Sequence, residues 1–425
     1  MSSILTNESA MVALQTLQGI SKNLSLTQSE IATGKSVSSA KDNAAIWGIS
    51  QVMQSDVDSM NAISQSLALG ESTVAVGRQA AESVADLLNQ MKEKAIAAQE
   101  DNVDRTKLQA ELTSLRDQVA GIVGAAQFNG ANLLSNQSTT AGEGTMQVLS
   151  AMKRSATGSV TPDNISITKQ DLTTNARSID ATGTVTAPGY TTLDATQSKT
   201  QAITGIAAGT AFGLSLLGTD ADASTITPAD YTHDNTTNTL MAASELTYVA
   251  REGDTAQDVA QHLVNRYNTY ATNNNLDADV LSFQATSTGL TGTSTVTDGT
   301  DTIGFQVTSL TSTSNVIGGG LEELANIDIS SATGAAAAVT QIEGLTQTAI
   351  KSAAQFGTSQ NRLEIQREFI DKFSDSMTAG IGALVDADME QSSARLQALQ
   401  VQQQLATQAL GIANRSPQSL LSLFR

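Results

Sequence analysis

The chain has 425 residues, no cysteine, two histidines and 3% aromatic residues, and its formal net charge is −19 at pH 7. The absence of cysteine excludes disulfides, thiolate metal sites and thiol nucleophiles. The negative charge disfavours nucleic acids and anionic membrane surfaces as partners, because both would repel the chain, and no apolar run of about 18 residues is present to span a membrane.

The first segment, residues 1–43, predicts a helix that needs a partner. It begins without the basic region and continuous apolar core of a secretory signal, which leaves either the cytoplasm or a dedicated export route. Its apolar positions alternate three and four residues apart, as in a coiled coil. They are Ala10, Ala13, Leu17, Ile20, Leu24, Thr27 and Ile31. The polar loop Gly34–Asn43 ends the segment.

Residues 44–135 predict two long helices separated by the polar turn Gln99–Asp104. The first has core-type positions at Ile63, Leu67, Gly70, Val74, Gly77, Ala81, Val84, Leu88, Met91, Ala95 and Ala98. The second has them at Leu108, Leu112, Leu115, Val119, Ile122 and Ala126. No proline interrupts either pattern, so long unbroken helices are expected.

Residues 136–330 predict a variable, surface-exposed β-rich domain. Thr, Ser, Gly, Asp and Asn dominate, and residues 141–330 hold 20 acidic and 7 basic residues, a difference of −13. One helix is predicted at Thr255–Tyr270 with Asp254 as its cap. Gly318–Gly320 is interpreted as a hinge, and Glu322 and Glu323 as a solvated pair.

The C-terminal part returns to helix, with a helix predicted in residues 331–380 and a coiled-coil segment in 381–425. The seam of that segment has the spacing of the N-terminal one, and Gln403 on it is a candidate for fixing register. Its positions are Val385, Met389, Ser392, Leu396, Leu399, Gln403, Ala406, Leu410 and Ala413. The predicted fold class is therefore mainly α with a β-rich insert, in which the terminal helices pair as a coiled-coil rod carrying an outer α+β or β domain.

No catalytic, cofactor-binding or metal-binding residues are predicted. His233 and His262 lack ligand neighbours at short spacing, and no phosphate loop, dinucleotide fingerprint or zinc motif is present. No cofactor is therefore expected, and a structural role is favoured over an enzyme.

Four segments together resemble the bacterial flagellins, particularly those of alphaproteobacteria. The C-terminal segment Val385–Arg425 ends in LLSLFR, and Ile31–Ser50 reads IATGKSVSSAKDNAAIWGIS. The other two are Gln127–Leu134, QFNGANLL, and Phe356–Glu364, FGTSQNRLE. The resemblance covers roughly residues 1–135 and 340–425.

The resemblance implies a filament subunit that polymerises for swimming motility. Such subunits are exported by the flagellar type III apparatus and lie outside the cell. Their partners would be further copies, other flagellins, an export chaperone, the filament cap and hook–filament junction proteins. Terminal segments that are disordered before assembly would pair when the subunit joins the filament. The predicted polymerisation interface is Leu17, Ile20, Leu24, Ile31, Val385, Met389, Leu396, Leu399, Gln403, Leu410, Leu420, Leu423 and Phe424.

The resemblance also defines a rod motif and an expectation about immune recognition. The rod motif is Lys41, Asp42, Asn43, Trp47, Phe128, Asn129, Gly130, Asn361 and Arg362. Flagellins recognised by the Toll-like receptor tend to carry arginine and leucine where this chain has Gln90 and Lys94. Weak or absent receptor recognition is therefore predicted.

Three alternatives share part of this pattern. A hook–filament junction protein has similar terminal helices but forms no long filament. A coiled-coil surface adhesin explains the layout but not the four local resemblances. A flagellin with a protease insert would need a zinc-binding histidine motif, which this chain lacks.

Overall fold

A computed structural model describes residues 7–155, 159–194, 197–220, 230–274, 276–277, 279–295 and 301–421, with side chains as far as residue 415. The described residues divide into two compact units. Unit 1 draws on Met1–Gln65, Ala151–Thr161 and Arg367–Arg425, and unit 2 on Ser66–Ser150 and Pro162–Gln366. No helix in the described ranges is long and apolar enough to cross a membrane.

Three helices precede the insert: α1 (Glu8–Thr33), α2 (Ala44–Ala97) and α3 (Arg105–Ala125). Asn7 and Asp104 cap α1 and α3 by accepting backbone N–H bonds, and Gly34, with φ of 68°, ends α1 in the left-handed conformation. All eleven predicted core-type positions from Ile63 to Ala98, the last of them one residue beyond α2, are buried. Of the six predicted positions along α3 and its C-cap, Leu112, Val119 and the C-cap residue Ala126 are buried, while the other three are half-buried.

Two helices follow the insert: α6 (Ala332–Val385) and α7 (Met389–Leu421). The break between them is three residues long. Asp388 initiates α7, because its side chain accepts the N–H groups of Glu390 and Gln391 at 3.0 and 3.1 Å. In unit 2, α6 is held to α2 by the ion pair of Lys92 with Glu343 at 2.5 Å.

The insert contains most of the strands and two short helices, α4 (Asn238–Ala243) and α5 (Ala256–Asn273). The strands are β1 (Gln127–Phe128), β2 (Ala131–Asn132), β3 (Thr145–Arg154), β4 (Val160–Thr168), β5 (Thr184–Thr186), β6 (Thr191–Leu193), β7 (Gln197–Ala202), β8 (Ala211–Thr219), β9 (Thr247–Val249), β10 (Leu281–Thr286), β11 (Gly289–Ser294) and β12 (Thr302–Thr311). β1 pairs with β2, and β3 with β4. One antiparallel sheet has the order β10-β11-β7, and another has β5-β12-β8-β9 with β6 also on β12.

The core of the insert lies between these sheets and α5. Tyr267 of α5 meets Phe283 edge to face at 4.7 Å between ring centroids, and Phe283 meets Phe305 at 5.3 Å. The buried Tyr267 hydroxyl donates to the carbonyl of Leu281 at 3.1 Å, so its polar atom is satisfied. The mainly helical chain with a β-rich insert confirms the predicted fold class.

The predicted cap of α5 was wrong by one residue. Thr255 is the cap, because its side chain and that of Asp258 bond reciprocally to each other's backbone N–H. Asp254 instead accepts a hydrogen bond from the Tyr248 hydroxyl at 2.6 Å and one from the backbone N–H of Arg251 at 2.8 Å.

The hinge interpretation of Gly318–Gly320 is also not supported by the packing. A Cβ at Gly319 would lie 1.9 Å from the carbonyl oxygen of Thr173, and one at Gly320 would lie 2.0 Å from that of Asp171. These glycines therefore allow two backbone segments to approach more closely than any side chain permits.

Candidate assembly site

Helices α1 and α7 of unit 1 pack against each other and run antiparallel. At one end the Asn7 side-chain nitrogen donates to the carbonyl of Ala413 at 2.9 Å. At the other end the N–H of Ala387 donates to the carbonyl of Gly34 at 3.0 Å. Two residues that lie opposite each other on the antiparallel pair therefore have numbers that sum to about 420, as 7 with 413 and 34 with 387 show.

The predicted seams are the faces that these two helices turn toward each other. The seam positions of α1 are half-buried and Thr27 is buried, and the seam positions of α7 from Ser392 to Ala413 are buried or half-buried. Pairing of the terminal helices is thus confirmed, and it occurs within one chain. The half-buried or buried members of the predicted interface are Leu17, Ile20, Leu24, Ile31, Leu396, Leu399, Gln403 and Leu410.

The other members of the predicted interface differ. Val385 is buried, but it is the last residue of α6. Met389 is 44% exposed, which does not fit a seam position. It is the first residue of α7, and helical side chains lean toward the helix N-terminus, so its side chain points beyond the helix. The side chain of Leu420 and residues Leu423 and Phe424 lie outside the described part of the chain.

The outward faces of the pair carry apolar side chains that the heptad spacing does not mark. Val12 is 64% exposed and Ile412 is 73% exposed. Isolated exposed apolar residues are ordinary, but several on one helix pair indicate a binding surface. We call this set the outward face: Met11, Val12, Leu14, Leu26, Val401, Leu405 and Ile412. The sequence could have revealed the outward face, because these apolar residues occupy positions between the seam residues that are otherwise mostly polar.

A backbone clip joins the loop after α1 to the break before α7. The carbonyl of Val385 accepts the N–H of Ser36 at 2.7 Å and its hydroxyl at 3.2 Å. Lys35 and Asp386 form an antiparallel β-bridge. Apart from the bond of the Ser36 hydroxyl, these contacts use main-chain groups, so most of the clip does not depend on side-chain identity.

The first part of the rod motif organises this loop. The Asp42 carboxylate accepts the backbone N–H and the hydroxyl of both Ser38 and Ser39 at 2.9–3.2 Å. The hydrogen bonds from Ser39 lower the pKa of Asp42 most, followed by those from Ser38. Asn43 caps α2 by accepting the N–H groups of Ala45 and Ile46. Lys41 is exposed and Trp47 is half-buried.

The remaining rod motif residues form a turn and an exposed helix surface. Asn129 and Gly130, with φ of 50° and 81°, occupy the two-residue loop between β1 and β2. Positive φ at both positions is typical of a type I′ hairpin turn, which favours Asn-Gly. Phe128 beside the turn is half-buried, whereas Asn361 and Arg362 are exposed on α6.

A buried ionic network lies within unit 2. Glu322 is only 8% exposed and bonds to Arg177 at 3.0 Å and to Arg266, while Glu323 bonds to Arg266 at 2.6 Å. The expectation that these glutamates form a solvated pair was therefore wrong. Desolvation, with the nearby guanidinium of Arg177, lowers the pKa of Arg266 to about 9.

The two histidines make structural contacts. His262 stacks on Tyr248 at 4.2 Å between ring centroids, and burial lowers its pKa well below the usual value. His233 contacts the Ser244 hydroxyl at 2.7 Å. Among the described residues, no group of three or more His, Asp or Glu side chains is arranged to hold a metal ion.

Fold and site together define a structural subunit whose terminal helices pair and present apolar outward faces. Family models described as the bacterial flagellin N-terminal and C-terminal helical regions match residues 4–139 and 339–424. Flagellin A of Rhizobium meliloti is 36% identical over 429 residues, with 100% of each chain covered. Flagellin FljK of Caulobacter vibrioides is 29% identical, with 100% of this chain and 99% of that one covered.

The chain belongs to the bacterial flagellin family, and it is a subunit of the flagellar filament. The alphaproteobacterial resemblance is confirmed, because both relatives come from that group. Full-length likeness to flagellins favours the filament subunit over the junction-protein alternative. Among solved structures, the hook-associated protein-3 of Legionella pneumophila has a TM-score of 0.36 and 9% identity, covering 79% of this chain and 98% of that chain.

Proposed function

We propose that α1 and α7 supply the main contacts between filament subunits, and that the two faces of the pair have different tasks. The seam closes the pair within each chain, and the outward face binds neighbouring copies. The observation that carries this proposal is the exposure of large apolar side chains on both helices after the seam has been covered. Burying such side chains against a neighbour would stabilise the polymer, because each fully buried aliphatic side chain contributes about 1.5–3 kcal/mol.

The contacts between copies would be heterologous and would not close into a ring, so that they generate a helical filament. We infer an extracellular location, with the acidic insert facing the medium and export by the flagellar type III apparatus. The export chaperone, the filament cap and the hook–filament junction proteins would be further partners. The role would be structural and not catalytic.

Substituting both Val12 and Ile412 with serine tests the outward face. We expect the critical concentration for polymerisation to rise at least about tenfold, because two buried apolar contacts would be lost from each interface. The measurement is sedimentation of unpolymerised chain after seeding with short filament fragments. Circular dichroism should show unchanged helix content, since neither side chain lies on the seam.

Leu217→Ser provides a matched control. Leu217 is an exposed leucine, 40% accessible, on β8 of the insert. Its substitution removes a similar apolar area without touching either terminal helix, so polymerisation should be normal. An unchanged critical concentration in the double variant would contradict the assignment of the outward face.

We propose that the Toll-like receptor recognises this flagellin weakly or not at all. The exposed Gln90 lacks the charge of the arginine that recognised family members carry, and Lys94 is engaged with Glu111 at 2.7 Å. In a receptor reporter assay the purified subunit should give no response above buffer. The double variant Gln90→Arg, Lys94→Leu serves as a comparison and should raise the response. Strong activation by the unaltered subunit would refute the prediction.

A further inference from the structure

The seam between α1 and α7 does not by itself define one register. Residues whose numbers sum to about 420 lie at the same level, which sets Leu17 level with Gln403. A slip of one heptad would set Leu17 level with Leu396 or Leu410 and would keep the three-and-four spacing. The apolar seam therefore gives no clear penalty against the slipped arrangement. The small seam residues contribute little to the energy difference between the native and the slipped register. They are Ala10, Ala13, Ala406 and Ala413.

Polar contacts at the two ends of the pair do define the register. At the end of the pair where the loop after α1 meets the break before α7, a backbone hydrogen bond of 3.0 Å holds Gly34 against Ala387. At the far end, Asn7 is fixed against Ala413 at 2.9 Å. The intervals are 27 residues on α1 (34 − 7) and 26 on α7 (413 − 387), so both ends specify the same register.

The Asn7 side chain performs two tasks at once. Its carbonyl oxygen caps α1 by accepting the N–H of Ala10 at 3.1 Å. Its NH₂ group donates to the Ala413 carbonyl, which can accept a second bond on its free lone pair. Serine and aspartate are good caps, but serine is too short to span to α7 and ionised aspartate has no donor.

We propose that Asn7 is the positioning residue that holds the helix pair in register at the end opposite the clip and thereby aligns the outward faces of α1 and α7 for neighbouring copies. The proposal rests on the proposed function of those faces. A chain that slipped by seven residues would shift Ile412 and Leu405 by about 10 Å relative to Val12, given a rise of 1.5 Å per helical residue. Such a chain could still form a coiled coil, but its outward face would not match that of its neighbours.

The register can be measured directly, because the chain has no native cysteine. A chain with Ala10→Cys and Leu410→Cys can form a disulfide in the native register, because residues 10 and 410 lie opposite each other there. A chain with Ala10→Cys and Gln403→Cys can form one only after a slip of one heptad. Each pair is combined with Asn7, Asn7→Asp or Asn7→Ser, and intrachain disulfide yield is measured after mild oxidation. With Asp or Ser we expect the ratio of slipped to native cross-links to rise about fivefold, the factor that one hydrogen bond supports.

Two comparisons separate register from helix capping. Asn7→Asp and Asn7→Ser keep the cap on α1, and Asp388→Ala removes the cap from α7 without altering Asn7. A shifted ratio in the first two with a native ratio in the third supports the proposal. A native ratio in the first two overturns it, because Asn7 would then act only as a cap.

The cross-links are measured both in seeded filaments and in the unassembled chain. If the chain with Asn7 and no introduced cysteine fails to polymerise with seeds, the proposed function of the outward face fails. The register assignment is judged separately, from the cross-link ratio in chains that have joined the seeded filaments, because the terminal segments are expected to be disordered before assembly. Normal filaments with a native ratio in Asn7→Asp and Asn7→Ser would overturn the register assignment and leave the proposed function intact.

Discussion

A chain that lacks residues 389–425 is expected to lose polymerisation entirely while unit 2 stays folded. The deletion removes α7 but keeps Val385, Asp386 and Ala387, so the clip to the loop after α1 is retained. The seam of α1, with Leu17, Ile20 and Leu24, would have no partner. Loss of several half-buried apolar contacts on a helix of 26 residues should leave α1 unfolded in solution.

The measurements are sedimentation and negative-stain microscopy after seeding, with circular dichroism to follow helix content. Sedimentable filaments should be absent at concentrations about a hundredfold above the critical concentration of the full chain, because both faces of the pair are lost. The Leu217→Ser chain is the full-length reference. Normal filaments from the shortened chain would show that the helix pair is dispensable for assembly, and the proposed function would then be wrong.

Substitution of Gly319 by alanine is expected to destabilise unit 2 by several kcal/mol, on the order of 4. A Cβ at this position would lie 1.9 Å from the carbonyl oxygen of Thr173 and 2.6 Å from the Thr173 hydroxyl, and a backbone atom cannot move aside cheaply. The same segment bears the carbonyl of Gly318, which accepts a 2.7 Å hydrogen bond from buried Arg251. Displacing the segment would leave that charged donor without its acceptor.

Calorimetry of the unassembled chain measures this effect. We expect unit 2 of the Gly319→Ala chain to melt at a lower temperature than unit 2 of the unaltered chain. Gly121→Ala is the matched control, because Gly121 lies inside α3 and a Cβ there meets nothing within 4 Å. That control should be stabilised by up to about 1 kcal/mol, since alanine favours helix over glycine. An unchanged melting temperature in Gly319→Ala would mean that Gly318–Gly320 is flexible, as the hinge interpretation supposed.

The spacing of apolar residues predicted the long helices before and after the insert well, because apolar residues recur at the positions that are buried in the folded chain. The heptad pattern along α2 and the residue that follows it identified eleven buried positions, from Ile63 to Ala98. The polar loop Gly34–Asn43 was bounded correctly, since Gly34 ends α1 and Asn43 caps α2. The Asn-Gly dipeptide at 129–130 carries a similarly local signal, because few residue pairs accept positive φ twice.

Tertiary contacts account for what the sequence did not reveal. Nothing in the dipeptide Glu322-Glu323 indicates that arginines from two distant segments, Arg177 and Arg266, surround it. The spacing located the seams and predicted that the terminal helices pair, but it did not mark the outward face, to which we assign the contacts with neighbouring copies. The domain boundaries and the polymerisation role of individual seam residues stay predictions.

The bond between Asn7 and Ala413 spans 406 positions of sequence. Closing a loop of that length carries an entropic cost that grows only slowly with length, but it makes the pairing highly non-local and therefore slow to form. The N-terminal helix cannot meet its partner until almost the whole chain has been synthesised. If the helix pair joins neighbouring copies as proposed, the assembly surface would be the last part of the subunit to form, and an incompletely synthesised chain would not polymerise.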